Sequence, residues 1–152
     1  MGQSGLIRPG QPERIGYTKP KPAPGKKTPA PKPLSTNNAR IESIDQKPTY
    51  SQAWRKGQRC LIPAAWYADQ TRETGKCIWW HLRRADGLPW MLAGLWSEWT
   101  DPQTGEVVPN FTMITRNCDF HPLLGRLHKP ERDSTTGDVL PMDKQDKRSL
   151  VH

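Results

Sequence analysis

All seven tryptophans of this chain fall between Trp54 and Trp99, under a third of its length. Large aromatic side chains dominate core energetics, so a chain that confines them in this way confines its core to the same region. Within that region the apolar residues come in short runs bounded by Gly, Pro and Asp, which is the punctuation of strands and turns rather than of long helices. Only 34% of the 152 residues are hydrophobic, a low share for a single domain of this size, so not all of the chain is packed core.

Taken in order, residues 1–17 hold one short apolar island, Gly5, Leu6 and Ile7, and residues 18–34 alternate Pro with Lys. That composition favours extended polyproline conformations and buries nothing, so 18–34 reads as a loop or linker. Residues 49–56 predict a short helix: Tyr50, Ala53 and Trp54 recur at helical spacing, Arg55 and Lys56 close the last turn, and Gly57 follows. An apolar run over 60–62 stops at Pro63, and Trp66 and Tyr67 then deliver one acid, Asp69, at the far end of a buried strand. Residues 77–83 and 90–96 are β-prone and flank Asp86-Gly87, so they predict an antiparallel hairpin. Residues 110–115 alternate as a further strand, and 121–128 read as one or two helical turns begun near Pro122. From 129 the chain is polar, and 143–148 reads as a solvated end. The expected class is α+β and β-rich, of mostly antiparallel strands with a few short helices.

The formal net charge is +8 and the sequence pI about 9.7, which favours an anionic partner. Residues 1–34 hold seven Lys or Arg against one acid, Glu13, and so carry six of the eight charges; this segment is either a basic arm tracking phosphates or a solvated spacer. No apolar run spans a bilayer and none has signal-peptide character, so no membrane partner is expected and a cytoplasmic location is the default. Cys60, Cys77 and Cys118 are odd in number and lack metal-site spacing, so neither a metal nor another cofactor is expected.

Three polar residues stand at the ends or edges of expected core elements: Asn38, Asp69 and His128. A carboxylate and an imidazole are the ordinary ingredients of acid–base catalysis. Each also has a plain structural reading: Asn38 as a turn residue, Asp69 as a loop acid, His128 as a cation at a helix C-terminus. His81 reads as a satisfied strand histidine and His121 as a helix-start residue.

The segments 38–42, 60–64, 93–96, 111–115 and 126–128, with the sequences NARIE, CLIPA, AGLW, FTMIT and RLH, occur in the order and at about the intervals of the SRAP family, the SOS response-associated peptidase or abasic-site processing domain. The chain resembles that family over about residues 35–132. The resemblance implies a barrel-like β-rich fold, a monomer, and a partner in single-stranded DNA containing abasic sites. In the family an amino-terminal Cys joins its amine and thiol to the ring-opened sugar aldehyde as a thiazolidine, with an Asn, a Glu and a His around the junction. By resemblance the Asn falls on Asn38, the His on His128 and the Glu on Asp69, one methylene shorter. Arg40 falls on a phosphate-contacting Arg, and Thr115 is a further expected phosphate contact.

The chain also departs from the family pattern. Position 2 is Gly2, the segment around Gly5 matches only part of a family motif with Ser4 in place of its Trp, and the strand expected after the His is reduced to a trace at 139–141. The expectation is a truncated amino-terminal part over 1–17, a loop or linker over 18–34, the SRAP-like domain over 35–132 and a polar tail over 133–152, with an incomplete barrel allowed. Crosslinking, lyase or other enzymatic activity is left open. Two alternatives stand beside abasic-site processing: a cysteine-type peptidase built on Cys60 or Cys118 with His128 and Asp69, and a non-catalytic single-strand-binding module that stacks bases on Trp.

Overall fold

The structure, a computed structural model, describes residues 2–21, 24–25 and 27–152. Met1, Pro22, Ala23 and Lys26, and with them part of the 18–34 segment, lie outside the described residues. Strands outweigh helices, as the short apolar runs require, and the chain divides into two compact units.

The first unit comprises 1–60 and 94–113. Strand β1 (Gln3–Ser4) lies parallel to β7 (Val107–Asn117), with Gln3 opposite Asn110 and Ser4 opposite Phe111. Strand β6 (Trp90–Thr100) runs antiparallel to β7 in a register extending from Gly94 opposite Met113 to Thr100 opposite Val107. Asp101 closes the intervening loop, its carboxylate accepting the Gln103 and Thr104 amides. Strand β2 (Asn38–Arg40) also pairs with β7, and β3 (Arg59–Ala64) occupies the far edge of β6. That edge position explains why Pro63 lies inside the strand instead of ending it: an edge strand tolerates a residue with no N–H to donate. Ile7, Trp99 and Val108 form one buried cluster, and the Trp99 indole donates to the Gln11 carbonyl at 2.8 Å. The expected helix is present as α1 (Ser51–Arg55), ended by Gly57 at φ +68°, with its amide on the Trp54 carbonyl.

The second unit comprises 61–93 and 114–152. Here β4 (Tyr67–Thr71) and β5 (Ile78–Leu82) form a two-stranded antiparallel ribbon, from Tyr67 opposite Leu82 to Thr71 opposite Ile78. This corrects the expected hairpin between 77–83 and 90–96. The Asp86-Gly87 sequence closes on itself: the Asp86 carboxylate accepts from the Leu88 amide and from the Arg84 guanidinium, so the turn serves a surface loop. The shorter turn at 72–76, with Gly75 at φ +77°, makes the local pairing instead. Strand β8 (Arg148–Leu150) pairs with the end of β7, Thr115 opposite Leu150, in a stretch whose polarity reads as a solvated end from sequence alone.

Among the described residues the strands do not close into a barrel. They form a six-stranded mixed sheet and the β4–β5 ribbon, which pairs with no other named strand.

Candidate active site

Strand alternation puts Tyr67, Asp69 and Thr71 on one face of β4, and Asp69 and Thr71 are buried there. Asp69 is therefore a mid-strand carboxylate rather than a loop acid. Its Oδ1 accepts the Gln70 amide at 2.8 Å, and its Oδ2 lies 3.0 Å from Nε2 of His128.

His128 follows a short 3-10 turn (Leu124–Arg126), which the helical reading of 121–128 anticipated; Nδ1 of His121 accepts the Leu123 and Leu124 amides at its start. Cys118, Leu124 and Leu127 pack together, with Trp80 and Leu82 of the ribbon against them, and Leu127 has no exposed surface. The next residue turns sharply. His128 has φ +65°, the only described non-glycine residue with positive φ. A left-handed backbone costs a residue with a Cβ about 1–2 kcal/mol and persists where surrounding contacts over-determine it. Those contacts come from β4 and its turn. The His128 amide donates to the Gln70 carbonyl at 2.6 Å, the Thr71 hydroxyl donates to the Arg126 carbonyl at 3.1 Å, and Arg126 makes a two-pronged ion pair with Glu73 at 2.7 and 2.9 Å.

The environment favours the imidazolium. The Asp69 carboxylate beside Nε2 raises the His128 pKa above its ordinary 6.5, and a backbone hydrogen bond at Arg148 acts the same way; burial and Lys147 oppose them. The two groups meet at ion-pair distance without hydrogen-bond geometry at Nε2, so charge carries the contact. An acid and a base thus lie in contact, 13% and 31% exposed for the Asp69 and His128 side chains, an arrangement suited to moving a proton.

Thr115, 7% exposed, offers its carbonyl to the Arg148 guanidinium at 3.0 Å, and Arg148 also pairs with Asp146 at 3.0 Å. Tyr67 lies edge-on to Trp90 at 5.7 Å between ring centres. Burial raises its phenol pKa; the Ser149 hydroxyl acts against this, and the charges of Asp69 and Cys118 add to it. Sequence reasoning assigned no role to Tyr67, Arg148 or Ser149. The two-residue period from Asp69 was the available signal for Tyr67; nothing in the polar run at 143–148 marks Arg148 or the Ser149 that follows it.

Asn38 and Arg40 lie in the first unit, on β2, at either side of the fully buried Ala39. Both are exposed, and the Asn38 carbonyl accepts the Tyr50 hydroxyl at 3.1 Å. Asn38 is thus a strand residue rather than a turn residue. The structure brings Asp69 and His128 into contact and places Asn38 and Arg40 together on one short strand.

Cys60 and Cys118 lack the electrostatics of nucleophiles. Cys118 is pushed up to about 11, first by burial and then by the charges of Asp119 and Asp69, and burial also raises Cys60. Cys77 is exposed, with its thiol on the Gln70 side-chain carbonyl at 3.0 Å. Among the described residues no three His, Cys, Asp or Glu side chains converge as metal ligands, and no helix is long and apolar enough to cross a membrane.

A family model described as SOS response associated peptidase (SRAP) matches residues 19–132. Among solved structures, a structural-genomics protein from Bordetella bronchiseptica is similar over 99% of this chain at 33% identity, with a TM-score of 0.69. This chain covers 59% of that protein. A second, from Bacteroides thetaiotaomicron, is similar over 64% of this chain and 43% of its own length, at 25% identity and a TM-score of 0.51.

Proposed function

The chain belongs to the SRAP family, and from that premise we propose that it binds single-stranded DNA at abasic sites and that Asp69 and His128 move protons at the ring-opened sugar. The observation that carries this reading is the partly buried contact between Asp69 of β4 and His128 at 3.0 Å. An abasic sugar in its open form presents an aldehyde. Addition to that carbonyl needs a proton delivered to oxygen and another taken from the attacking atom. A His128 kept protonated by a neighbouring carboxylate is suited to the first task, and Asp69 to the second. In the same reading Asn38 orients polar groups of the sugar through its amide, Arg40 contacts phosphate through its planar guanidinium, and Thr115 is a further phosphate contact beside Arg148.

The thiazolidine chemistry known in the family needs an α-amine and a thiol on one residue. Cys60, Cys77 and Cys118 are all internal, so none of these three takes that role, and Asp69 and His128 are assigned to proton transfer. A cysteine-peptidase reading would need a thiol with a lowered pKa, and those of Cys60 and Cys118 are raised.

The test is fluorescence anisotropy with two labelled single strands, identical except that one carries an abasic site at its centre. The abasic strand is expected to bind tighter by about tenfold, one well-placed interaction's worth, and His128→Gln is expected to erase the preference. Equal affinity of the unaltered protein for both strands would overturn the reading.

A further inference from the structure

An isolated histidine does not favour the left-handed region, and the contacts that hold His128 there come from the end of β4. Thr71 is 3% exposed and ends β4, one residue beyond the carbonyl that binds the His128 amide. Its hydroxyl donates to the Arg126 carbonyl at 3.1 Å, and Thr71 forms an isolated antiparallel bridge with Leu127. The same hydroxyl accepts the Glu73 amide at 3.4 Å, which fixes its rotamer from the side facing the turn. Thr71 therefore stands between the two halves of the acid–base pair: two residues from Asp69 along β4, and fastened across to the segment that delivers His128.

We propose that Thr71 is the positioning residue of the Asp69–His128 pair, its side-chain hydroxyl clamping the Arg126 carbonyl so that the chain enters His128 left-handed and the imidazole arrives on the carboxylate. Two neighbours help without replacing it. Leu127 anchors the segment by burial, which is non-directional, and the Glu73–Arg126 ion pair is half exposed and so is weakened by solvent. The Thr71 bond is directional and part-buried, and it fixes the Arg126 carbonyl two residues before the amide that His128 gives to Gln70.

The link to catalysis rests on the proposed function; the positioning itself is read without DNA. The measurement is the titration of the His128 ring by NMR in the free protein, together with exchange of the His128 amide hydrogen. Three groups besides Asp69 bear on that titration: Lys147, the Arg148 backbone and the burial of the ring. The variants leave Lys147 and Arg148 in place. Thr71→Val keeps shape and removes the hydroxyl; Thr71→Ser keeps the hydroxyl and removes a methyl. In Thr71→Val the His128 midpoint is expected to fall to that of Asp69→Asn, and its amide to exchange at least tenfold faster. In Thr71→Ser both are expected to stay at the unaltered protein's values. If Thr71 only fills space, Thr71→Ser will lower the midpoint, and that result overturns the proposal even where Thr71→Val fails to fold. An unchanged midpoint in a folded Thr71→Val overturns it as well. Loss of the abasic-strand preference in the unaltered protein would refute the functional reading and leave this titration result standing.

Discussion

Replacing Asp69 by Asn keeps the side chain's shape and its acceptor for the Gln70 amide but removes the charge 3.0 Å from His128 Nε2. Because His128 has a folded pKa raised above its ordinary 6.5, the stabilisation it draws from Asp69 is fully present below about pH 6.5 and disappears as the pH rises through the raised folded value. Both side chains are less than a third exposed, so solvent screening removes only part of the interaction. An ion pair whose members are both partly buried is screened less than an exposed one and is worth about 1–2 kcal/mol. Asp69→Asn should therefore cost about 1–2 kcal/mol near pH 5 and little of that near pH 9, where the imidazole is neutral. At about 2–4 °C per kcal/mol for a chain of this size, the melting point should fall by about 2–8 °C at the lower pH. Urea melts of both proteins across that pH range measure the difference directly. A loss of stability equal at both ends would refute the reasoning, because it would show that shape and not charge joins the pair.

Two further outcomes follow from the packing around the site. Leu127→Ala empties a fully buried position beside Cys118 and Leu124 and should cost about 2–5 kcal/mol in a denaturant melt; a loss under about 1 kcal/mol would mean that the segment entering His128 is not core-anchored. Iodoacetamide should label Cys77, which is exposed, well before Cys118, which is buried and raised to about 11; mass spectrometry of a timed digest reads the order, and early labelling of Cys118 would contradict its enclosure.

The residues show where sequence reading succeeds. Helix α1 was legible because its signals are local: apolar spacing over a few residues, a basic last turn and a terminal Gly57 at φ +68°. Strands β6 and β7 were legible in outline for the same reason. The hairpin between 77–83 and 90–96 was misread because an Asp-Gly pair says that the chain turns, not which strands meet afterwards; Asp86 spends its carboxylate on Arg84 and Leu88, and β5 pairs with β4. Arg148 and Ser149 carried no signal, because a short strand inside a polar run is selected by the partner it meets, here the end of β7.

By itself, then, the sequence determined the β-rich class, the confinement of tryptophan to the middle, and Asp69 and His128 as residues able to do proton chemistry. Periodicity, turn residues and the functional group a side chain carries are properties of a residue and its near neighbours, so one dimension suffices to read them. Only the tertiary structure decided that Asp69 is buried in mid-strand, that His128 turns left-handed onto it, and that Thr71 and Glu73 hold Arg126 in place to make the turn. These contacts join residues more than fifty positions apart. Their formation depends on which burial and hydrogen bonds outweigh the entropy of closing that loop, a balance struck over the whole fold.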